Sequence, residues 1–237
     1  MLAELAGSGA FFGSGVAGVG DLDWDGIPDL IVGGREADEA RGALWFVSLG
    51  RDGRPVRLRR LATEGLGLNP SAQFGFDFAT LRDIDDDGFP ELAVGAPGDD
   101  ELGPGAGALW ILFLGPGGVL TKSEKIFAPR VPGVPEHFAE SFGSLVSRAG
   151  ERAEDRSTLL VSSTEFTHLL FLLQSGRPRA VHALTAWAGG LAVREFDGNV
   201  ATLVIGRAGA DGGTGKVVQQ RLSIVPIPYD DVLPRRR

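Results

Sequence analysis

The chain has 237 residues with 23 basic and 31 acidic side chains, a net charge of −8, which makes a nucleic-acid backbone a poor partner for most of its surface. It has no cysteine, which excludes disulfides, thiolate metal centres, iron–sulfur clusters and cysteine catalysis. Gly (36) and Pro (14) make up about a fifth of the chain without a triplet period, excluding collagen and a long helical bundle and calling for short elements joined by tight turns.

The opening residues, MLAELAGSGAFFGSG, carry Glu4 and no basic segment, so no standard signal peptide is read there; an intracellular protein or a piece of a longer one is expected. No apolar run approaches the roughly eighteen residues of a membrane span. From Phe11 the chain then repeats itself. FFGSGVAGVGDLDWDGIPDLIVGG aligns with QFGFDFATLRDIDDDGFPELAVGA, from Gln73, at an offset of 62. Phe12 falls on Phe74, Gly13 on Gly75, Asp21 on Asp83, Gly26 on Gly88 and Val32 on Val94, and GALW recurs as Gly42–Trp45 and Gly107–Trp110. A third unit opens at Phe142-Gly143, with TLLVSS (Thr158–Ser163) in the place of DLIVGG. A fourth lacks Phe-Gly but keeps TLVIG (Thr202–Gly206) and GKVVQQRL (Gly215–Leu222). With Leu30, Leu92, Leu159 and Leu203 as anchors the spacings are 62, 67 and 44. These define one domain over 1–237, with units at about 12–73, 74–141, 142–186 and 187–226 and a tail over 227–237.

Each unit contains short apolar runs punctuated by Gly, Asp or Pro. In the second they are Phe76–Leu81, Glu91–Ala96, Ala108–Leu114 and Val119–Lys122 onward; in the third, HLLFLLQ (His168–Gln174) ends at strand length at Ser175-Gly176. Runs this short, rich in β-branched and aromatic residues, read as strands. Four per unit give roughly 16 strands in small sheets that cannot bury their faces alone. The fold class is all-β, a β-propeller of about four four-stranded blades.

The chemistry lies in two acidic loops, Asp21–Asp29 (DLDWDGIPD) and Asp83–Glu91 (DIDDDGFPE). Carboxylates at loop positions 1, 3 and 5 converge if the backbone curls. Glycine at position 6 permits the turn, a carbonyl at position 7 can point inward, and Asp29 or Glu91 at position 9 closes the shell. All are hard oxygen donors, which suits Ca²⁺ and disfavours zinc or copper. The two loops hold nine carboxylates, so the rest of the chain sums to +1. The plain alternative is a solvated Asp-Gly turn, but two matched loops concentrating the whole charge excess argue for a cation. An EF-hand is excluded because position 12 is Val32 or Val94, not a bidentate Glu.

Phe-Gly, DxDxDGxxD/E-L, Val94–Pro97 (VGAP) or its variant Val32–Gly34, then G-x-L-W together resemble the FG-GAP repeats of integrin α-subunit propellers. Similar repeats occur in glycosylphosphatidylinositol-specific phospholipase D and in many bacterial surface proteins. The resemblance is strong over 12–114 and weak over 142–175. It implies Ca²⁺-binding hairpin loops within blades, and a ring that is either four-bladed or part of a seven-bladed propeller. It also implies an extracellular or cell-surface setting. Carried over, the ligands are Asp21, Asp23, Asp25, the Ile27 carbonyl and Asp29 for one ion, and Asp83, Asp85, Asp87, the Phe89 carbonyl and Glu91 for a second. The third unit has only Glu151, Glu154 and Asp155 in RAGERAEDRST, and the fourth only Asp197-Gly198-Asn199, a tight hairpin. Neither is assigned an ion.

No catalytic constellation is read. His137, His168 and His182 are packing or surface residues with no HExxH among them, and no GxSxG exists. ADGGTGKV (Ala210–Val217) lacks the Ser or Thr that a phosphate-binding loop places after its Lys, and reads as a hairpin connection; GPGAG (Gly103–Gly107) is likewise a turn. Trp45 and Trp110 recur in register and read as core, as does Trp187. Trp24, between two ligand positions, reads either as a partner contact or as packing on a neighbouring loop. The basic Arg235–Arg237 is a charged terminus. There is no RGD, and Pro70 disqualifies Asn69 as a glycosylation site.

The expected function is a non-catalytic, calcium-binding module presenting loops to a protein or glycan partner. The alternatives are an accessory propeller of a larger hydrolase and a purely structural calcium-held module. The partner is expected at Arg35–Arg41 and Gly98–Gly105, with the acidic Asp99–Glu101 favouring a basic surface.

Overall fold

The computed structural model describes residues 10–128, 140–150, 157–163, 167–184, 190–197, 200–207, 216–223 and 227–228. The first two units are four-stranded antiparallel meanders: β1 (Phe12–Gly20), β2 (Asp29–Gly34), β3 (Ala43–Leu49) and β4 (Pro55–Arg60), then β5 (Phe78–Thr80), β6 (Glu91–Ala96), β7 (Ala108–Gly115) and β8 (Val119–Phe127). The runs read from the second unit become these strands. The first is cut to three residues because Phe76 donates back to the Gln73 carbonyl at 3.0 Å in a turn. The third unit forms β9 (Leu145–Gly150), β10 (Ser157–Ser162), β11 (Thr167–Leu172) and β12 (Pro178–Leu184). The fourth forms β13 (Gly190–Asp197), β14 (Val200–Arg207) and β15 (Lys216–Ser223). In place of a free tail at its start, Ile227–Pro228 makes a short β16 along the outer edge of β12, opposite Val181 and Ala180. The Lys216 and Val217 that end ADGGTGKV begin β15, paired with Arg207 and Gly206 of β14, so the Gly-Lys leads into a strand and not a helix.

The first strands lie innermost and in succession: β5 packs against β1 and β9, and β9 against β13. Four blades thus stand side by side in a propeller arrangement. The middle strands are buried on both sides. In β7, Trp110, Leu112 and Leu114 join the core toward blade one, while Leu109, Ile111 and Phe113 join the core toward blade three. Period-two alternation therefore serves two different neighbours, which is why β7 reads as an unbroken apolar run.

The Phe-Gly signature is a blade-to-blade pin. Phe74 donates to the Arg41 carbonyl at 2.9 Å and bridges Gly42; Phe142 donates to Ala106 at 3.2 Å and bridges Gly107. Gly42 has φ +88° and a Cβ there would sit 2.0 Å from the Phe74 oxygen, so the glycine of GALW is obligatory. The Phe ring then meets the third strand edge-on: Phe12 on Trp45, Phe74 on Trp110 and Phe142 on His168, with centroids 5.3, 6.4 and 5.6 Å apart. His168 is therefore the third unit's counterpart of the two tryptophans; Val161 pairs with it as Val32 pairs with Trp45 and Val94 with Trp110. It is buried, neither ring nitrogen has a hydrogen-bond partner, and burial depresses its pKa to about 4. His182 lies on β12; His137 and Trp187 are outside the described residues.

In a meander, alternate connections emerge at opposite ends. The acidic loops join β1 to β2 and β5 to β6, so they share one end, and the Arg35–Arg41 and Gly98–Gly105 connections share the other.

Candidate metal centre

Both acidic loops fold by the same internal hydrogen bonds. In the first, the Asp21 carboxylate accepts from the amides of Asp25 (3.0 Å) and Gly26 (2.8 Å), and Asp25 accepts from Ile27 (2.8 Å). In the second, Asp83 accepts from Asp87 (3.0 Å) and Gly88 (2.7 Å), and Asp87 accepts from Phe89 (2.9 Å). Gly26 and Gly88 take φ of +85° and +93°, the left-handed turn that position 6 requires. Position 9 closes each loop: Asp29 accepts from the Leu22 amide at 3.0 Å and Glu91 from Ile84 at 2.6 Å. The extra methylene of Glu91 thus preserves the same contact.

These bonds curl the loops and bring the carboxylates together. Ligand atoms of Asp83, Asp85, Asp87 and Glu91 lie within 4.8 Å of one another, as do those of Asp21, Asp23 and Asp29. Asp25 is not in the first group. Its exposed side chain caps the Ile27 amide, so its place beside the other three rests on the sequence pattern. Ile27 and Phe89 occupy position 7, each fixed through its amide.

The donors that remain define what can bind. Asp23 Oδ1 and Asp29 Oδ1 in the first loop, and Asp85 Oδ1 and Glu91 Oε1 in the second, are buried oxygens without a hydrogen-bond donor. A buried carboxylate oxygen left unpaired is costly. Here such oxygens occur in matched pairs, at positions 3 and 9 of both loops, inside the acidic clusters. Burial raises the pKa of Glu91 to about 8 and moves Asp29 and Asp85 upward, with the Asp87 and Asp83 charges adding to the shift at Asp85. The donor set fits a hard divalent cation, and the matched orphan oxygens are the feature that a bare Asp-Gly turn would lack.

Three further residues complete the loops and carried no signal in the acidic pattern. Ser48 on β3 donates to Asp23 at 2.8 Å. Gln174, in the turn after β11, donates to the Asp85 carbonyl and the Asp86 carboxylate, both at 3.1 Å. Gly117, in the turn after β7, donates to the Leu22 carbonyl at 2.6 Å. Each loop is therefore capped by the outer turn of the following blade. Of its two readings, Trp24 takes up packing on the neighbouring loop: its ring stacks on Phe89 of the second loop at 6.0 Å and 9° while 75% of the residue stays exposed.

In blade three, Thr158 stands where Asp29 and Glu91 stand in blades one and two, and it is buried. Glu151, Glu154 and Asp155 lie outside the described residues, as do Gly198 and Asn199. The expectation for Asp99–Glu101 is corrected. Asp99 is buried and bonded to Lys125 at 2.7 Å, and Lys125 also binds Glu101 at 2.9 Å. Asp100 accepts from Asn69. This acidic stretch is committed to the chain's own cation and amide, not held out to a basic partner. In the Arg35–Arg41 connection, Asp38 is likewise paired with Arg60.

Residues 74–112 match the FG-GAP repeat family. The chain is 34% identical to human integrin alpha-7 over 163 residues, which cover 68% of this chain and 13% of that protein. It is 29% identical to Drosophila melanogaster integrin alpha-PS2 over 206 residues, 83% of this chain and 14% of the relative, and 36% identical to Caenorhabditis elegans integrin alpha pat-2 over 87 residues, 36% of this chain and 7% of that one. The chain thus spans a small part of the relatives it matches. With blades, pins and paired acidic hairpins all in register, it is an FG-GAP repeat protein that is similar to part of the integrin α-subunits.

Proposed function

We propose that this chain is a non-catalytic, calcium-stabilised propeller module of an adhesion-type protein, with an ion at each acidic loop and a protein partner met through loops. The observation that carries it is the matched pair of buried, donor-less carboxylate oxygens at positions 3 and 9 of both loops. Bound Ca²⁺ supplies the charge that lets these carboxylates stay ionised side by side. Asp21, Asp23 and Asp29, with Asp25 and the Ile27 carbonyl, form one shell; Asp83, Asp85, Asp87 and Glu91, with the Phe89 carbonyl, form the other. Because the turns carrying Gly117 and Gln174 bond the loops from the next blade, a filled loop stabilises blade docking as well as itself. The likeness to integrin α-subunits supports a cell-surface setting for this reading.

Isothermal titration of calcium into chelator-stripped protein tests the reading. It requires two equivalents, one lost in Asp23→Ala and the other in Asp85→Ala, with magnesium binding more weakly. A flat titration at millimolar calcium refutes it.

A further inference from the structure

The two loops touch through a ring pair, Trp24 on Phe89, and that contact has the geometry of a coupling element. Trp24 is position 4 of the first loop, with φ +62°, a left-handed conformation in which a bulky residue is an outlier. Its indole is 75% exposed, and it lies parallel to the Phe89 ring. Phe89 is position 7 of the second loop, only 8% exposed, and its amide is held by the Asp87 carboxylate. The second loop has the same strained residue at position 4, Asp86 at φ +64°, and it too is braced by the following blade, through Gln174. The two braces differ in one respect. Gln174 sits in a turn between β11 and β12, whereas Phe89 sits inside the other acidic loop.

We infer that Trp24 is a positioning residue that makes calcium binding at the two loops cooperative, through its stack on Phe89. This inference rests on the calcium reading above. Without an ion, the carboxylates of Asp83, Asp85, Asp86 and Asp87 repel one another and work against the curl that seats Phe89. Ordering the second loop fixes the Phe89 ring and supplies the surface on which Trp24 keeps its left-handed conformation. Asp23, the neighbour of Trp24 that faces Asp21 and Asp29, is then already directed inward when the first loop binds. Coupling of this kind is reciprocal, so order in the first loop favours the second by the same factor. A parallel aromatic pair of ordinary strength sets that factor at about two- to tenfold.

The test is a double-mutant cycle read by calcium titration of the whole chain. Glu91→Gln removes the second site, with Asp85→Asn as its substitute should the first variant fail to fold. Trp24→Asn removes the ring but keeps a residue that tolerates the left-handed conformation; being exposed, it leaves the core untouched. Expected results are a first-loop affinity about two- to tenfold weaker in Glu91→Gln than in the unmutated protein. In the Trp24→Asn background the same Glu91→Gln change produces no such weakening, and Trp24→Phe restores it. A first-loop affinity that ignores the Glu91→Gln change, while two equivalents still bind the unmutated protein, overturns the coupling and leaves the calcium reading standing. Absence of any calcium binding overturns both.

Discussion

Replacing Glu91 by Gln separates the cost of the naked site from the benefit of the ion. Glu91 is fully buried, one oxygen accepts from Ile84 and the other has no donor. Burial, reinforced by the charges of Asp85, Asp83 and Asp87, lifts its pKa from 4.5 to about 8. In calcium-free solution the unfolded chain therefore loses this proton near pH 4.5 while the fold keeps it to about pH 8. Across that window the unfolded state binds fewer protons, so stability falls as pH rises, by about 1.4 kcal/mol per pH unit. The loss is absent below the unfolded pKa and complete above the folded one, with a ceiling of about 5 kcal/mol.

Gln keeps the shape and the Ile84 bond and cannot ionise. In EDTA the variant should match the unmutated protein near pH 5 and pull ahead of it steadily to pH 8. Excess calcium should reverse the order. The unmutated protein gains about 2.7 kcal/mol per site at a hundredfold excess over Kd, whereas the variant gains only at the first loop. Calcium binding below pH 8 should also displace close to one proton from the second loop, seen as a buffer-dependent heat in titration. Urea unfolding followed by tryptophan fluorescence at pH 5, 6, 7, 8 and 9, with EDTA and with calcium, reads these outcomes. A gap between the two proteins that does not change with pH in EDTA would show that Glu91 is already ionised in the metal-free fold, and would refute the argument.

Gly95→Ala puts a Cβ 1.9 Å from the Gly143 carbonyl oxygen and Gly42→Ala one 2.0 Å from that of Phe74, so each should cost several kcal/mol by urea titration, while Gly65→Ala, with no atom within 4 Å, should cost almost nothing. His168 has a folded pKa of about 4 against 6.5, so stability should decline as pH falls from 6.5 to 4, by about 1.4 kcal/mol per unit. His168→Phe should flatten that part of the profile, and an unchanged slope would exclude His168 as its source. Lys125→Met strands the buried Asp99 carboxylate and should cost about 3–5 kcal/mol, whereas Asp99→Leu with Lys125→Met together should recover most of it. Equal losses in the single and double variants would contradict the pairing.

The blades were legible because short apolar runs between Gly, Asp and Pro have few physical outcomes. β6 begins and ends where ELAVGA does, and β11 covers most of HLLFLLQ. Most of the carboxylates that converge were legible too, since alternate Asp residues before a left-handed Gly curl toward one point, but Asp25, which caps the Ile27 amide, stays outside its cluster. Polar contacts between distant strands and between blades were not legible. Asp99–Glu101 looked like an offered acidic patch because Lys125 is 26 residues from Asp99 and meets it only after β7 and β8 have paired. Ser48 reaches Asp23 across 25 residues, and Gln174 reaches Asp86 across 88. Apolar periodicity is silent about such contacts, because the first two depend on which strands lie side by side within a blade and the last on how one blade is set against the next.

The weak third unit shows which physical requirement each part of the repeat signature meets. Gly33 and Gly95 are confined because the carbonyls of Gly75 and Gly143, from the following Phe-Gly, would lie 2.4 and 1.9 Å from a Cβ. The third unit has Ser162 at that position, and the unit after it has no Phe-Gly. There the serine finds its own partner, Thr167, at 3.0 Å. The carboxylate at position 9 behaves in parallel. Buried Asp29 and Glu91 each leave an oxygen unpaired, a cost that a cation would relieve, and Thr158 fills that position where DxDxDG is missing. The ring at the third-strand position also shrinks, from Trp45 and Trp110 to His168, yet still receives Phe142, because the third unit keeps its own Phe-Gly and so keeps its pin to blade two. The signature is thus two separable devices. On the calcium reading the acidic residues in the hairpin loop answer to an ion, whereas the glycines answer to the backbone of the next blade; each is strict only where its counterpart is present.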